Sequence, residues 1–154
     1  METIQKSVTL LNELIKVNND RIAGFAHAVT ELGDNDFELK THFKNFKEES
    51  REYVHELSRA IDMMGGEPEA DTGTTSGGDL HWVWLYIKAP FSRLNRQTIL
   101  EACERSEEDI KKAYRDVLTK EAYLSPDLKK LISKQQQGII NAEDKIKALH
   151  FSAA

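Results

Sequence analysis

Residues 100–118, LEACERSEEDIKKAYRDVL, decide the fold. Their apolar members Cys103, Ile110, Tyr114, Val117 and Leu118 recur at three- and four-residue steps, the spacing of one helix face. Glu104 and Glu107 sit on or beside that face, where a purely structural helix would carry Leu. An acidic side chain turned towards a core needs a cation, a hydrogen-bond donor or a metal. Glu101 and Glu108 face away, as a solvated acidic run does.

Three further helices read out from this one. The first spans about 4–32, with the stripe Ile4, Val8, Leu11, Leu14, Ile15, Ile22, Phe25 and Val29. Gly24 lies in its interior, at a cost of about 1 kcal/mol against Ala, and signals a close approach on a second packed face. The second spans about 36–64, with Leu39, Phe43, Phe46, Val54, Leu57 and Ile61. Gly33-Asp34-Asn35 makes a short turn before it, with Asn35 and Glu38 as a capping box. The third spans about 98–122, with Thr98 and Glu101 as a second box. Ser125-Pro126 opens the fourth, about 126–150, with Leu128, Leu131, Ile132, Ile139, Ile146 and Leu149.

Residues 65–97 join the second helix to the third. Their first half holds five glycines (65, 66, 73, 77 and 78) and little to bury. Leu80 to Phe91 is the opposite, with Trp82, Trp84, Tyr86 and Phe91 among mostly apolar neighbours, and reads as a short helix over about 80–88. Two short hairpin turns and one long connection give an all-α, ferritin-like four-helix bundle, residues 1–154 forming one domain, with the crossover making helices 2 and 3 parallel.

Each long helix breaks its apolar stripe near the middle, at Asn18, Ser50, Glu107 and Gln135. These four are expected to form a polar core layer, with Arg21 or Arg51 neutralising Glu107. A layer of that kind fixes helix register through hydrogen bonds. A di-iron centre needs a Glu from each of two helices and a Glu-x-x-His from each of the others. Glu52-x-x-His55 has that spacing but points off its helix's apolar face. It could instead meet Asp20 or His27 on an outer face. The metal candidates are therefore Glu104, Glu107, Glu143, Asp20, Glu52 and His55, for iron or another divalent ion.

The bulk numbers exclude several classes. The chain has 154 residues, 31% charged and 40% hydrophobic, enough for one buried core. A net charge of −5, with no dense basic run, argues against nucleic-acid binding. One cysteine, Cys103, rules out an internal disulfide and a cysteine metal cluster, and fits a reducing cytoplasm. The first residues lack the pattern of a signal peptide, and no apolar run reaches the roughly 20 residues of a membrane span.

Six motifs together resemble a bacterial ferritin-like family known only as a domain of unknown function. They are Leu11-Asn12-Glu13-Leu14-Ile15, Asp20-x-x-x-Gly24-Phe25, Gly65-Gly66-Glu67-Pro68, His81-x-x-Trp84, Leu100-Glu101-x-x-Glu104-Arg105-x-Glu107 and Ala142-x-Asp144-x-x-x-x-Leu149. The resemblance implies a four-helix bundle with a long crossover and no assigned activity. Family members often carry His where Glu143 stands, Arg after Gln in mid-helix 2 where Ser50-Arg51 stand, and Gly where Ser106 stands. These departures count against carrying over a metal site.

The leading expectation is a cytoplasmic, non-catalytic bundle without a cofactor that forms a homodimer through Trp82, Trp84, Tyr86 and Phe91. A stress-related role is family-level analogy. A metal-binding storage protein or oxidase is the first alternative, and a small-molecule or lipid carrier the second.

Overall fold

The computed structural model describes residues 2–32, 36–69 and 96–152. Four long helices, α1 (Glu2–Leu32), α2 (Phe37–Met63), α3 (Arg96–Leu118) and α4 (Pro126–Ser152), form a ferritin-like four-helix bundle. No strand occurs among the described residues. The short helix read over 80–88, and with it Trp82, Trp84, Tyr86 and Phe91, lies outside them.

At 1.5 Å per residue, the 31 residues of α1 extend about 46 Å. Its stripe buries Leu11, Leu14 and Ile15 completely. The cap of α2 differs from the expected one. Asp36 adopts a left-handed backbone, φ 58°, and its carboxylate accepts from the Leu39 amide at 3.3 Å. Asn35 lies outside the described residues. Short side chains such as Asp tolerate that conformation because they bond their own backbone. The same carboxylate pairs with Arg96, the first residue of α3. That ion pair puts the starts of α2 and α3 at one end of the bundle, so the two helices run parallel.

The other end is tied as firmly. After Met64 the chain closes a Schellman turn: the Gly66 amide donates to Ile61 O and the Gly65 amide to Asp62 O, both at 3.0 Å. Gly65 supplies the positive φ, 81°, that this turn requires. Gly66 has no room for a side chain, since a Cβ there would lie 2.7 Å from Val8 Cγ2. The chain then climbs α1. Asn12 donates to Glu67 O at 3.1 Å and accepts from the Glu69 amide at 2.8 Å, and Lys16 pairs with Glu69 at 3.2 Å.

Two boundaries of α3 correct the sequence reading. The helix begins at Arg96, so Thr98 lies inside it and is not a cap. It stops at Leu118, short of the expected 122, and a single 3-10 turn, Glu121–Tyr123, follows. That turn is drawn to α1: Ser7 donates to Tyr123 O, and Lys6 donates to the Tyr123 hydroxyl at 3.0 Å. Ser125 then caps α4, accepting from the Leu128 amide at 3.2 Å.

The apolar core comes in two parts. One gathers Leu14, Ile61, Ile110 and Ile132 towards the start of α1; the other gathers Phe25, Phe43, Leu100 and Ile146 towards its end. Asn18 and Arg21 lie between them along α1. No described helix is long and apolar enough to cross a membrane.

Candidate functional site

Glu107 is fully buried at the middle of α3, and Arg21, 2% exposed, comes to it from α1. The guanidinium straddles the carboxylate: Nε donates to Oε1 at 2.8 Å and Nη2 to Oε2 at 2.9 Å. A donor on each oxygen fits the ionised carboxylate. Burial pushes the Glu107 carboxyl up, Arg21 pulls it back by charge and hydrogen bond, and Glu49 and Glu143 add to the upward push. For Arg21, burial works against the charge, and the Glu107 and Glu49 carboxylates outweigh it, so the guanidinium is held protonated.

The third guanidinium nitrogen serves α2. Nη1 donates to Glu49 Oε1 at 2.8 Å, to Ser50 Oγ at 2.9 Å and to Phe46 O at 3.3 Å. From Ser50 a chain of hydrogen bonds crosses the bundle in one direction. Ser50 donates to Asn18 Oδ1 at 2.9 Å, and Asn18 Nδ2 donates to the Tyr114 hydroxyl at 2.8 Å. Tyr114 donates to Gln135 Oε1 at 2.6 Å, and Gln135 Nε2 donates to Glu56 Oε1 at 3.0 Å. All four helices contribute. The chain starts on a cation and ends on a carboxylate, an orientation that polarises each bond in the same sense. Burial raises the Tyr114 phenol far above its usual range, so it stays a neutral donor.

The structure thus brings Asn18, Ser50, Glu107 and Gln135 into one hydrogen-bonded layer between the two apolar clusters. Of the two expected partners, Arg21 reaches Glu107, whereas Arg51 points outward to Glu48 at 2.6 Å. Tyr114, Glu49 and Glu56 also belong to the layer, and no break in an apolar stripe marks them. By periodicity Tyr114 is an apolar stripe residue, yet a buried tyrosine hydroxyl must find a partner.

The remaining metal candidates are spread out. Glu104 meets His150 of α4 at 2.9 Å. Glu143, 1% exposed, accepts from Lys111 at 2.7 Å, and its Oε2 has no hydrogen-bond partner. Burial raises the Glu143 carboxyl, against Lys111. Asp20 is buried on α1 and lines a small cavity with Gly24, Cys103, Ser106 and Glu107, with room on the order of one water molecule. Burial pushes the Cys103 thiol well up, so it is held protonated. Glu52 and His55 are exposed on α2. Among the described residues, no three His, Cys, Asp or Glu side chains converge as a metal site would require.

This donor set does not fit a di-iron centre. Such centres take four inward carboxylates and two histidines. Among the described residues, the inward members of the mid-bundle layer are Asn18, Arg21, Ser50, Glu107, Tyr114 and Gln135; Asp20 and Glu143 are also buried, no histidine is, and one carboxylate, Glu107, is fully buried. Both oxygens of that carboxylate are already bound to Arg21.

Two solved structures share the fold. A Dps1 mutant from Mycobacterium smegmatis is similar with a TM-score of 0.76 and 16% identity over 97% of each chain. A ferritin-like, diiron-carboxylate protein from Bacillus anthracis str. Ames is similar with a TM-score of 0.67 and 17% identity, over 97% of this chain and 99% of that one. No curated protein sequence matches significantly. The model of a family described as Domain of unknown function (DUF2383) matches residues 6–120. That match takes in most of α1 and all of α2 and α3, three quarters of the chain and most of the central layer, and the chain belongs to the DUF2383 family.

Proposed function

We propose that this protein is a non-catalytic, self-associating helical bundle whose polar centre serves structure rather than metal chemistry. The observation that carries the reading is the two-pronged Arg21–Glu107 contact. A carboxylate whose two oxygens both face a guanidinium is a poor metal ligand, because the fixed positive charge beside it repels a second cation. The hydrogen-bonded layer has the features of a register device. Each polar group has one partner geometry, so sliding a helix would strand several buried groups at once.

Self-association is proposed through Trp82, Trp84, Tyr86 and Phe91, which are outside the described residues. The support is compositional: one bundle groove cannot cover a segment that is apolar on nearly all sides, and a second copy of the chain can. The resulting picture is a single-domain, cytoplasmic homodimer with no bound cofactor.

The test is metal analysis and light scattering on protein purified without an affinity tag. The expected result is iron, manganese and zinc far below one per chain, with a dimer mass that falls towards monomer in Trp84→Glu. Stoichiometric metal that disappears in Glu107→Ala would overturn the metal-free reading in favour of a metal-binding bundle like its di-iron neighbour. An unchanged mass in Trp84→Glu would remove the aromatic segment from the interface.

A further inference from the structure

The pocket around Arg21 is built from parts that do not depend on Arg21. Ser50 is held by Asn18, which is held by Leu14 O at 2.8 Å and by Tyr114. Glu49 is engaged by the Tyr53 phenol. Glu107 is fixed by the burial of its own helix face. These walls present five acceptor contacts to the guanidinium: two from Glu107 and one each from Glu49, Ser50 and Phe46 O. The faces are aromatic, with the Phe25 and Phe46 ring centroids 5.3 and 5.9 Å from Arg21 Cζ.

We infer that this pocket is a guanidinium-binding site filled by the chain's own Arg21, which serves as the resident central cation of the bundle. The inference rests on the proposed reading of a centre without a metal pair. Its basis is shape. A guanidinium is flat, offers five donors in its plane and stacks on aromatic rings. A divalent metal wants four to eight donors on all sides at 2.0–2.6 Å. Here five acceptor contacts meet the three guanidinium nitrogens, and two phenyl rings rather than further donors lie beside the central carbon. An ammonium ion fills the same charge without matching the fork.

Arg21→Ala should therefore leave a preformed vacancy for the free ion. Thermal unfolding of this variant is measured with guanidinium chloride up to about 10 mM, far below its denaturing range. Potassium chloride, ammonium chloride and manganese chloride at equal ionic strength are the controls. The expected result is a Tm below wild type that rises by roughly 3–5 °C with guanidinium once the ion exceeds its Kd about tenfold. The controls should give no such rise, and neither should guanidinium added to wild type or to Arg21→Ala/Glu107→Gln.

No rescue, or equal rescue by potassium or manganese, would overturn the inference. If Arg21→Ala does not fold, Arg21→Lys decides. It keeps the charge and loses the fork, so its Tm should fall by roughly 5 °C or more. Wild-type stability in Arg21→Lys would equally overturn the site. The two readings fail separately. Metal bound by wild type and retained in Glu107→Gln faults the proposed function alone, whereas a metal-free wild type without guanidinium rescue faults this inference alone.

Discussion

Gly138 sits in the interior of α4, where a glycine costs about 1 kcal/mol relative to alanine. On helix propensity alone, Gly138→Ala should stabilise the protein. The structure reverses that sign. A Cβ at this position would lie 1.9 Å from the Tyr53 hydroxyl, and 3.2 Å from both Tyr53 Cζ and Glu49 Oε2. Nonbonded heavy atoms settle at about 3.5 Å, so the hydroxyl must retreat by roughly 1.5 Å. Tyr53 is half-buried and donates to Glu49, the carboxylate that also holds Arg21 Nη1. Breaking a hydrogen bond to a charged group costs about 1.5–3 kcal/mol, and overpacking costs about 1–3 kcal/mol. Against a propensity gain of about 1 kcal/mol, the net is a loss of about 1.5–5 kcal/mol, or roughly 3–20 °C in Tm for a chain of this length.

The assay is urea unfolding of wild type, Gly138→Ala, Tyr53→Leu and the double variant. In the Tyr53→Leu background the obstruction is gone, so the alanine should stabilise by up to about 1 kcal/mol. The coupling between the two positions should be about 2.5 kcal/mol or more, at the upper end for residues in direct contact. A Gly138→Ala variant more stable than wild type, or an effect identical in both backgrounds, would refute the close approach of α2 and α4 at this point.

Three more outcomes concern the polar layer and the core beside it. Arg21→Met strands Glu107 and should destabilise by about 3–5 kcal/mol at pH 8. Without Arg21, burial and the Glu49 and Glu143 carboxylates act unopposed on the carboxyl and lift it further above its unfolded value. A raised acid is most stabilising below its unfolded pKa and loses that stability as pH rises towards the folded one. The deficit should accordingly be smaller at pH 5 than at pH 8, and equal urea midpoint shifts at both would count against it. Tyr114→Phe leaves Gln135 Oε1 without its donor and should cost about 1–3 kcal/mol by denaturant titration. Native protein should react with a thiol reagent far more slowly than protein in denaturant, where Cys103 gives one equivalent per chain, because burial holds that thiol protonated.

Periodicity alone marked the four helices, because burying one face of a helix forces an apolar residue every three or four positions whatever the partner. The breaks in that pattern were legible too. Asn18, Ser50, Glu107 and Gln135 stand where leucines belong, and a polar residue in an apolar stripe demands partners before any partner is known. The turn at Gly65-Gly66 was readable because few other residues end a helix that way.

Pairing was a matter for the tertiary structure. Arg21 and Arg51 are equivalent candidates beside Glu107 in sequence, and only the rotations of α1 and α2 within the bundle turn Arg21 inward and leave Arg51 with Glu48. Tyr114 read as apolar because a phenol is mostly ring; its hydroxyl acquires a role from Asn18 and Gln135, which are distant in sequence. The carboxylates of the opening stretch divide for the same reason. Glu107 meets Arg21 in the centre and Glu104 meets His150 at the edge, though the two lie less than one turn apart. Three residues move a side chain about 4.5 Å along the helix and about 60° around it, which is enough to exchange one set of neighbours for another. The sequence determined that Glu107 needs a counter-charge; the packing of α1 on α3 determined that the counter-charge is a guanidinium.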